Sequence, residues 1–427
     1  MRAQLNRWTI ALLLPAVFYV PQRAAAQGAE TVIDWNWALL TTLATPGATD
    51  PTVFFTRPMS VLHVAIFEAL NSIDRVYTPY IDFVDAAPDA SPDAAAAQAA
   101  HDALVAMFPA QQPSYDALLA TQLGRLPRGP AESGSRVGAA AARAILAARA
   151  NDGWNRPQPT FLLPSLPGYW QPVPPQNAAA TFAHYPDVTP FVIGSARQFF
   201  AEPPPALNSA RYAADFNATK AIGSATSTTR TADQTLVARL FAAVGTTTSI
   251  PAVGNNLTRD LVRAHGLNLL DAARLFALIN VTYHDALLTS FSGKYLYGLW
   301  RPVTAIREAA RDGNDATEAD PGWLALIPNP PYPTYPGNYA CVASAITRVF
   351  ARVFGRDDVP FSITWTEANG PGWTRNYARF SQLAEEAANS RVYGGIHFNF
   401  DTTASFGACI PLGDYVHANT FRRRFAQ

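Results

Sequence analysis

Proline placement constrains this chain more than any other feature. Twelve prolines fall between residues 153 and 205, including Pro172-Val173-Pro174-Pro175 and Pro203-Pro204-Pro205. Proline lacks a backbone N–H and clashes with the preceding helical turn, so no long helix survives there. Outside that stretch the pattern is helical. Ile33, Trp37, Leu40 and then Val61, Val64, Ala65, Glu68 and Ala69 recur with a period near 3.6. Alanine-rich stretches at 90–107 and 136–151 favour helix by propensity. Helices are expected near 206–222, 231–244, 256–291, 296–312 and 338–354, with helical signals again after Trp373 and Thr403. No period-2 strands of consequence and no internal repeat are visible. The fold class is therefore all-α, with residues 153–205 as an ordered proline-rich connection between two helical halves. The expected division is an N-terminal helical region at 27–205 and a helical core at 206–427.

Hydrophobic residues make up 49% of the 427, enough to build a core and exclude disorder. The 32 basic and 32 acidic residues cancel, which excludes a broad electrostatic footprint for nucleic acid. Lysine is almost unused: only Lys220 and Lys294 are present, so 32 − 2 = 30 basic residues are arginine. Two cysteines, Cys341 and Cys409, exclude a disulfide-rich scaffold and a four-thiolate zinc site.

The N-terminus reads as a secretory signal at 1–26. Arg2 and Arg7 supply its positive region, Thr9 to Val20 an apolar stretch, and Ala24-Ala25-Ala26 a small-residue cleavage site. That stretch is too short to span a bilayer, which needs about 20 residues. The expectation is an exported protein, periplasmic or extracellular, with no integral membrane segment after cleavage. Nothing in the sequence specifies an oligomeric state.

Three segments in the last third carry residues suited to holding an oxyanion. In the first, Lys294 and Arg301 stand seven positions apart, two turns along one face if helix persists through Tyr297-Gly298. In the second, Tyr335-Pro336-Gly337-Asn338-Tyr339-Ala340 lies where a helix should begin, and a helix N-terminus attracts anions through its free N–H groups. In the third, Ser390-Arg391 precedes His397 and Asp401. An imidazole nitrogen of His397 can ligate a metal or attack phosphorus. Asp401 would hold the other ring nitrogen.

These segments resemble the signature of the vanadium-dependent haloperoxidase and type 2 phosphatidic acid phosphatase superfamily. That signature reads K-x6-R-P, then P-S-G-H, then S-R-x5-H-x3-D; the first and third parts match in full. The stretch KYLYGLWRPVTAIR from Lys294 to Arg307, with Tyr212 to Asn217 and Ser227 to Ala232 upstream, is similar to the chloroperoxidase branch and its bacterial relatives. The resemblance implies a helical bundle with the anion site inside it. It implies that Lys294, Arg301 and Arg391 neutralise oxyanion oxygens. His397 would be the vanadate ligand in a haloperoxidase or the phosphohistidine nucleophile in a phosphatase, oriented by Asp401. Gly395 would allow close backbone packing, and Phe291 and Tyr332 would shape halide preference.

The middle motif departs from the family. Gly337, Asn338 and Tyr339 stand where the family has Ser, Gly and His. Gly337 and Asn338 are then left to contribute to oxyanion binding without the serine hydroxyl. Tyr339 replaces the acid–base imidazole with a phenol, whose ordinary pKa near 10 matches neutral pH poorly. His284, on the helix leading to Lys294, is a candidate substitute, though a packed or surface role is the simpler expectation. If the motifs converge, Cys341 and Cys409 come close enough for a disulfide.

The leading expectation is an exported haloperoxidase-like protein, using hydrogen peroxide and a halide at a His-bound vanadate, with weakened acid–base catalysis. The alternatives are an acid phosphatase acting on a phosphate ester, with phosphate in the same site, and a non-catalytic oxyanion-binding protein. Replacing Lys294 by arginine should weaken oxyanion binding, whereas the same change at Lys220 should not.

Overall fold

The computed structural model describes residues 29–45, 47, 55–242, 250–365 and 372–424. The signal-peptide expectation at 1–26 lies outside the described residues. The first helical group is α1 (Ala29–Ala44), α2 (Thr56–Asp74), α3 (Pro92–Met107), α4 (Gln112–Leu123) and α5 (Arg128–Ala148). After the proline-rich stretch come α6 (Ala210–Gly223), α7 (Ala232–Leu240), α8 (Ile250–Ala264), α9 (Leu269–Tyr297) and α10 (Pro302–Arg307). The chain closes with α11 (Asn338–Val353), a hairpin of β1 (Phe361–Trp365) and β2 (Trp373–Tyr377), then α12 (Phe380–Tyr393) and α13 (Asn399–Asn419). Among the described residues no helix is long and apolar enough to cross a membrane.

Local chemistry sets these boundaries. Ser91 caps α3 by accepting the Ala94 N–H, with Pro92 in the first turn. Thr231 and Gln234 form a capping box at α7. The Asn268 side chain caps α9 at the Asp271 N–H, and Gly298, left-handed at φ +59°, ends it. A helix apolar on all sides belongs in the centre of a fold. The long helix α9 is buried along almost its whole length and packs on α1, α2, α8, α11 and α13. One apolar core runs from Val32 of α1 to Val416 of α13.

The proline-rich stretch straps α9 without forming an α-helix. Buried Asp285 of α9 accepts three N–H bonds from it, from Phe191 at 2.7 Å, Val192 at 2.7 Å and Ile193 at 3.0 Å. Trp170 N–H donates to Gly298 O at 2.7 Å, and the Tyr297 hydroxyl to Ala201 O at 2.8 Å.

The all-α class holds, with four local corrections. The helix expected at 256–291 is two helices, because Gly266 takes a left-handed φ of +58° between α8 and α9. The helix expected at 296–312 is only α10 and a following 3-10 turn, because α9 ends at Gly298. After Trp373 the chain is first a strand, antiparallel to β1 with Ile363 opposite Arg375, and only then α12. Side chains alternate along β1, with Ile363 and Trp365 inward. The last helix starts at Asn399, upstream of Thr403.

Candidate functional site

Lys294 and Arg301 do not share a helix face. Lys294 is in the last turn of α9, the chain reverses at Gly298, and Arg301 caps α10. The turn, not helical periodicity, brings them together. Arg391 lies in the last turn of α12, and His397 in the short link to α13. That link is seated on α6. The Thr219 hydroxyl donates to His397 O at 3.3 Å. Gly395, at φ +76°, approaches Gly223 so closely that an added Cβ would sit 2.3 Å from Gly223 O. Only glycine fits both the angle and the distance.

His397, Asp401, Arg301 and Lys294 converge and are all buried. His397 Nδ1 is 2.7 Å from Asp401 Oδ2. A carboxylate only accepts, so Nδ1 carries the proton and Nε2 keeps its lone pair. Nε2 lies 3.3 Å from the Arg301 Nη1. Arg301 is braced by Nε to Tyr332 O at 2.8 Å and Nη1 to Ile396 O at 2.9 Å. Its Nη2 is buried with no partner. Arg391 donates to Phe241 O at 2.6 Å, and its guanidinium lies 4.4 Å from the centre of the Tyr339 ring. Tyr332 similarly lies under Arg301, at 5.0 Å, and Lys294, at 5.4 Å, with Phe291 edge-on to it.

Lys294 and Arg301 thus act on the Asp401 carboxylate, and with Arg391 they surround the His397 imidazole. Burial, then repulsion from Arg301, Lys294 and Arg391, holds the His397 imidazole well below its ordinary pKa. Burial and Arg301 also push Lys294 well down, opposed by Asp401. Burial lowers Arg301 to about 10 and raises Asp401 to about 6. Bound negative charge would relieve this repulsion, and the unpartnered Arg301 Nη2 is placed to meet it. Among the described residues no three His, Cys, Asp or Glu side chains gather to chelate a cation. The donors suit an oxyanion held by charge-assisted hydrogen bonds, each contributing about 1.5–3 kcal/mol.

Two candidate donors are occupied, and a third candidate residue is engaged through its acceptor. The Lys294 ammonium donates to Pro333 O at 2.9 Å, Thr334 O at 2.7 Å and Pro336 O at 2.6 Å. With only three N–H groups it has none to spare, so its action on an anion is through charge alone. The Gly337 N–H donates to Ser405 Oγ at 2.9 Å, a hydroxyl that occupies the space beside a residue with no side chain. The Asn338 amide oxygen accepts from Ser290 Oγ at 2.7 Å. At the start of α11 the Cys341 N–H makes the first helical backbone bond, to Gly337 O at 3.0 Å. His284 is packed elsewhere: its Nδ1 is 2.9 Å from Thr56 Oγ1, and its ring meets Phe191 edge-on. Cys341 and Cys409 are disulfide-bonded, tying α11 to α13.

Sequence reasoning missed Thr334 and Ser405. Thr334 Oγ1 lies 2.6 Å from Asp401 Oδ2, and Ser405 Oγ bridges Gly337 to Asp401 O. Neither falls in a spacing motif, and a threonine just before Tyr-Pro gives no signal of its own.

The helical fold thus buries a cluster of cationic side chains around the His397 imidazole. The family model described as the VCPO second helical-bundle domain matches residues 274–424. That match covers the part of the chain that carries Lys294, Arg301, Arg391, His397 and Asp401. The chain is 29% identical over 204 residues to the vanadium chloroperoxidase of Curvularia inaequalis, which is 38% of this chain. The match spans 33% of that fungal protein's length. The fold is similar to a bacterial vanadium-dependent iodoperoxidase, with a TM-score of 0.77 at 21% identity, covering 92% of this chain and 98% of that one. It is also similar to the holo form of a bacterial vanadium-dependent chloroperoxidase, with a TM-score of 0.70 at 17% identity, covering 88% and 93%.

Proposed function

We propose that this protein is an exported, vanadium-dependent haloperoxidase-like enzyme that oxidises halide with hydrogen peroxide. The observation that carries the reading is the buried Arg301 Nη2, unpartnered and beside the neutral His397 imidazole. The residues fit vanadate: His397 Nε2 would ligate the vanadium, and Arg301 and Arg391 would meet its oxygens. Lys294 and the start of α11 would add positive potential. Bound vanadate supplies a Lewis-acidic centre at which peroxide is activated toward halide. The protein's own part is to hold the histidine in one tautomer, balance charge and exclude water.

A second reading is a non-catalytic oxyanion-binding protein. It is favoured by Tyr339, whose ring serves as a platform for Arg391 in the position of the family's acid–base histidine. A phosphatase acting through a phosphohistidine would need that acid for its alkoxide leaving group, and the residues offer no imidazole for it.

The test begins with dialysis of the protein against orthovanadate. Peroxide-dependent halogenation of a dye is then measured, with phosphate-ester hydrolysis in a vanadate-free sample. Halogenation abolished by His397→Ala is the expected result. Hydrolysis inhibited by vanadate would replace the reading with the phosphatase. Orthovanadate binding with neither activity would leave the binding protein. Tyr339→His is expected to raise turnover by at least tenfold if the proton shuttle is the missing part.

A further inference from the structure

Thr334 links the Lys294 segment to the His397–Asp401 link and belongs to neither motif. Its N–H donates to Leu299 O at 3.0 Å, and its carbonyl accepts from the Lys294 ammonium at 2.7 Å. Both partners lie in the segment that carries Lys294 and Arg301. Its hydroxyl lies 2.6 Å from Asp401 Oδ2 and 3.1 Å from His397 Nδ1. The side chain is fully buried. Its backbone is therefore pinned to one motif and its side chain to another.

Asp401 shows what that link does. Three donors converge on a single oxygen, Oδ2: the Thr334 hydroxyl, His397 Nδ1 at 2.7 Å and the Phe398 N–H at 3.2 Å. The other oxygen, Oδ1, is buried and has no partner. A carboxylate held through one oxygen can turn about its Cβ–Cγ bond unless its donors fix it. The hydroxyl is the shortest of the three contacts, and it arrives from outside the 397–401 link. Without it the carboxylate would be held only by neighbours in its own turn. Charge-assisted bonds of this kind are stronger than neutral ones and geometrically selective. A partner behind the ligating imidazole sets its tautomer and ring orientation.

We infer that Thr334 is a positioning residue: held by Leu299 and Lys294, it fixes the Asp401 carboxylate and thereby the Nδ1–H tautomer of His397. Nε2 is then the ring's only acceptor, on the side of Arg301. The lysine consequently acts on the histidine through a carbonyl, a threonine hydroxyl and a carboxylate. The inference rests on the oxyanion reading only for its second measurement below.

The test uses the full chain with ¹⁵N-labelled histidine, which numbers seven residues, with His397 assigned by its loss in His397→Ala. The ring nitrogens are read without oxyanion, and orthovanadate binding is read separately by calorimetry. The wild type should show the Nδ1–H tautomer. Thr334→Val, which keeps shape and removes the hydroxyl, should give mixed or reversed tautomer signals and about tenfold weaker orthovanadate binding. Thr334→Ser should restore both. Thr334→Ala carries the same reading if the valine variant does not fold. An Nε2–H wild type, unchanged ring signals in Thr334→Val, or loss that serine does not rescue would each overturn the inference. If the wild type binds no orthovanadate, the oxyanion reading fails, while the ring signals still judge Thr334.

Discussion

Among the described residues, two buried arginine clusters are built to opposite ends. In the first, Arg57 and Arg149 share Asp152, at 2.7 and 3.2 Å. Their remaining contacts go to backbone carbonyls: Arg57 to Arg149 O at 2.6 Å, and Arg149 to Pro190 O at 2.9 Å and Thr189 O. Aromatic rings cover both, Trp154 at 4.9 Å and Phe191 at 4.0 Å. No side-chain polar atom of that trio is buried without a partner. The second cluster has the same ingredients: Arg301 and Arg391, aromatic platforms in Tyr332 and Tyr339, and Asp401. There the carboxylate is turned to His397 and Thr334, and Arg301 keeps an orphan donor. Closure, not composition, separates the two clusters.

The largest expected effect breaks the closed cluster. Asp152→Ala strands two buried guanidinium groups and should lower unfolding free energy by about 3–5 kcal/mol. Chemical denaturation checks this, and a loss under about 1 kcal/mol would mean the cluster is not closed by charge. In the open cluster the effect moves from stability to binding. Arg301→Gln should weaken orthovanadate binding about 10- to 150-fold, the equivalent of one charge-assisted bond, with a smaller change in stability than Asp152→Ala. Equal stability losses at both positions would erase the distinction.

The smallest effect concerns pH in the closed half. Burial raises the Glu68 carboxyl to about 7, although it accepts N–H bonds from Tyr80 at 2.7 Å and Ile81 at 3.3 Å. Its folded pKa stands above the ordinary 4.5, so the folded state holds a proton that the unfolded state has released. Stability from this group is complete below about 4.5 and declines as pH rises through 7. Glu68→Gln should therefore gain thermal stability relative to the wild type between pH 5 and pH 8. A melting-temperature difference constant across that range would rule the effect out.

Much of this arrangement was legible in the sequence, for identifiable reasons. Lys294, Arg301, Arg391, His397 and Asp401 sit at fixed spacings, and spacing survives without coordinates. In the first half, α1, α2, α3 and α5 announced themselves through period and alanine content, whereas α4 did not. The proline-rich stretch was correctly read as non-helical. What could not be read was which donors are already spent. The Lys294 ammonium and the Gly337 N–H are consumed by partners distant in sequence, at Pro333 and Ser405, and the Asn338 amide oxygen is engaged by Ser290. Thr334 escaped for the same reason, since its partner Asp401 lies 67 residues away. Hydrogen-bond satisfaction is a tertiary property, and a motif names atoms without saying whether they are free. The end of α9 was misjudged because only the backbone shows that Gly298 turns left-handed.

The contact between Gly223 and Gly395 gives the site a fixed gauge. Two backbone segments touch there with no side chain between them, so the histidine-bearing link cannot shift toward α6. It is also tethered to that helix through Thr219. Transplanting the three motifs into another helical bundle would therefore copy the letters and lose the ruler. Any design that borrows this site must carry α6 with it, glycine included, or rebuild the same zero-clearance stop from other residues.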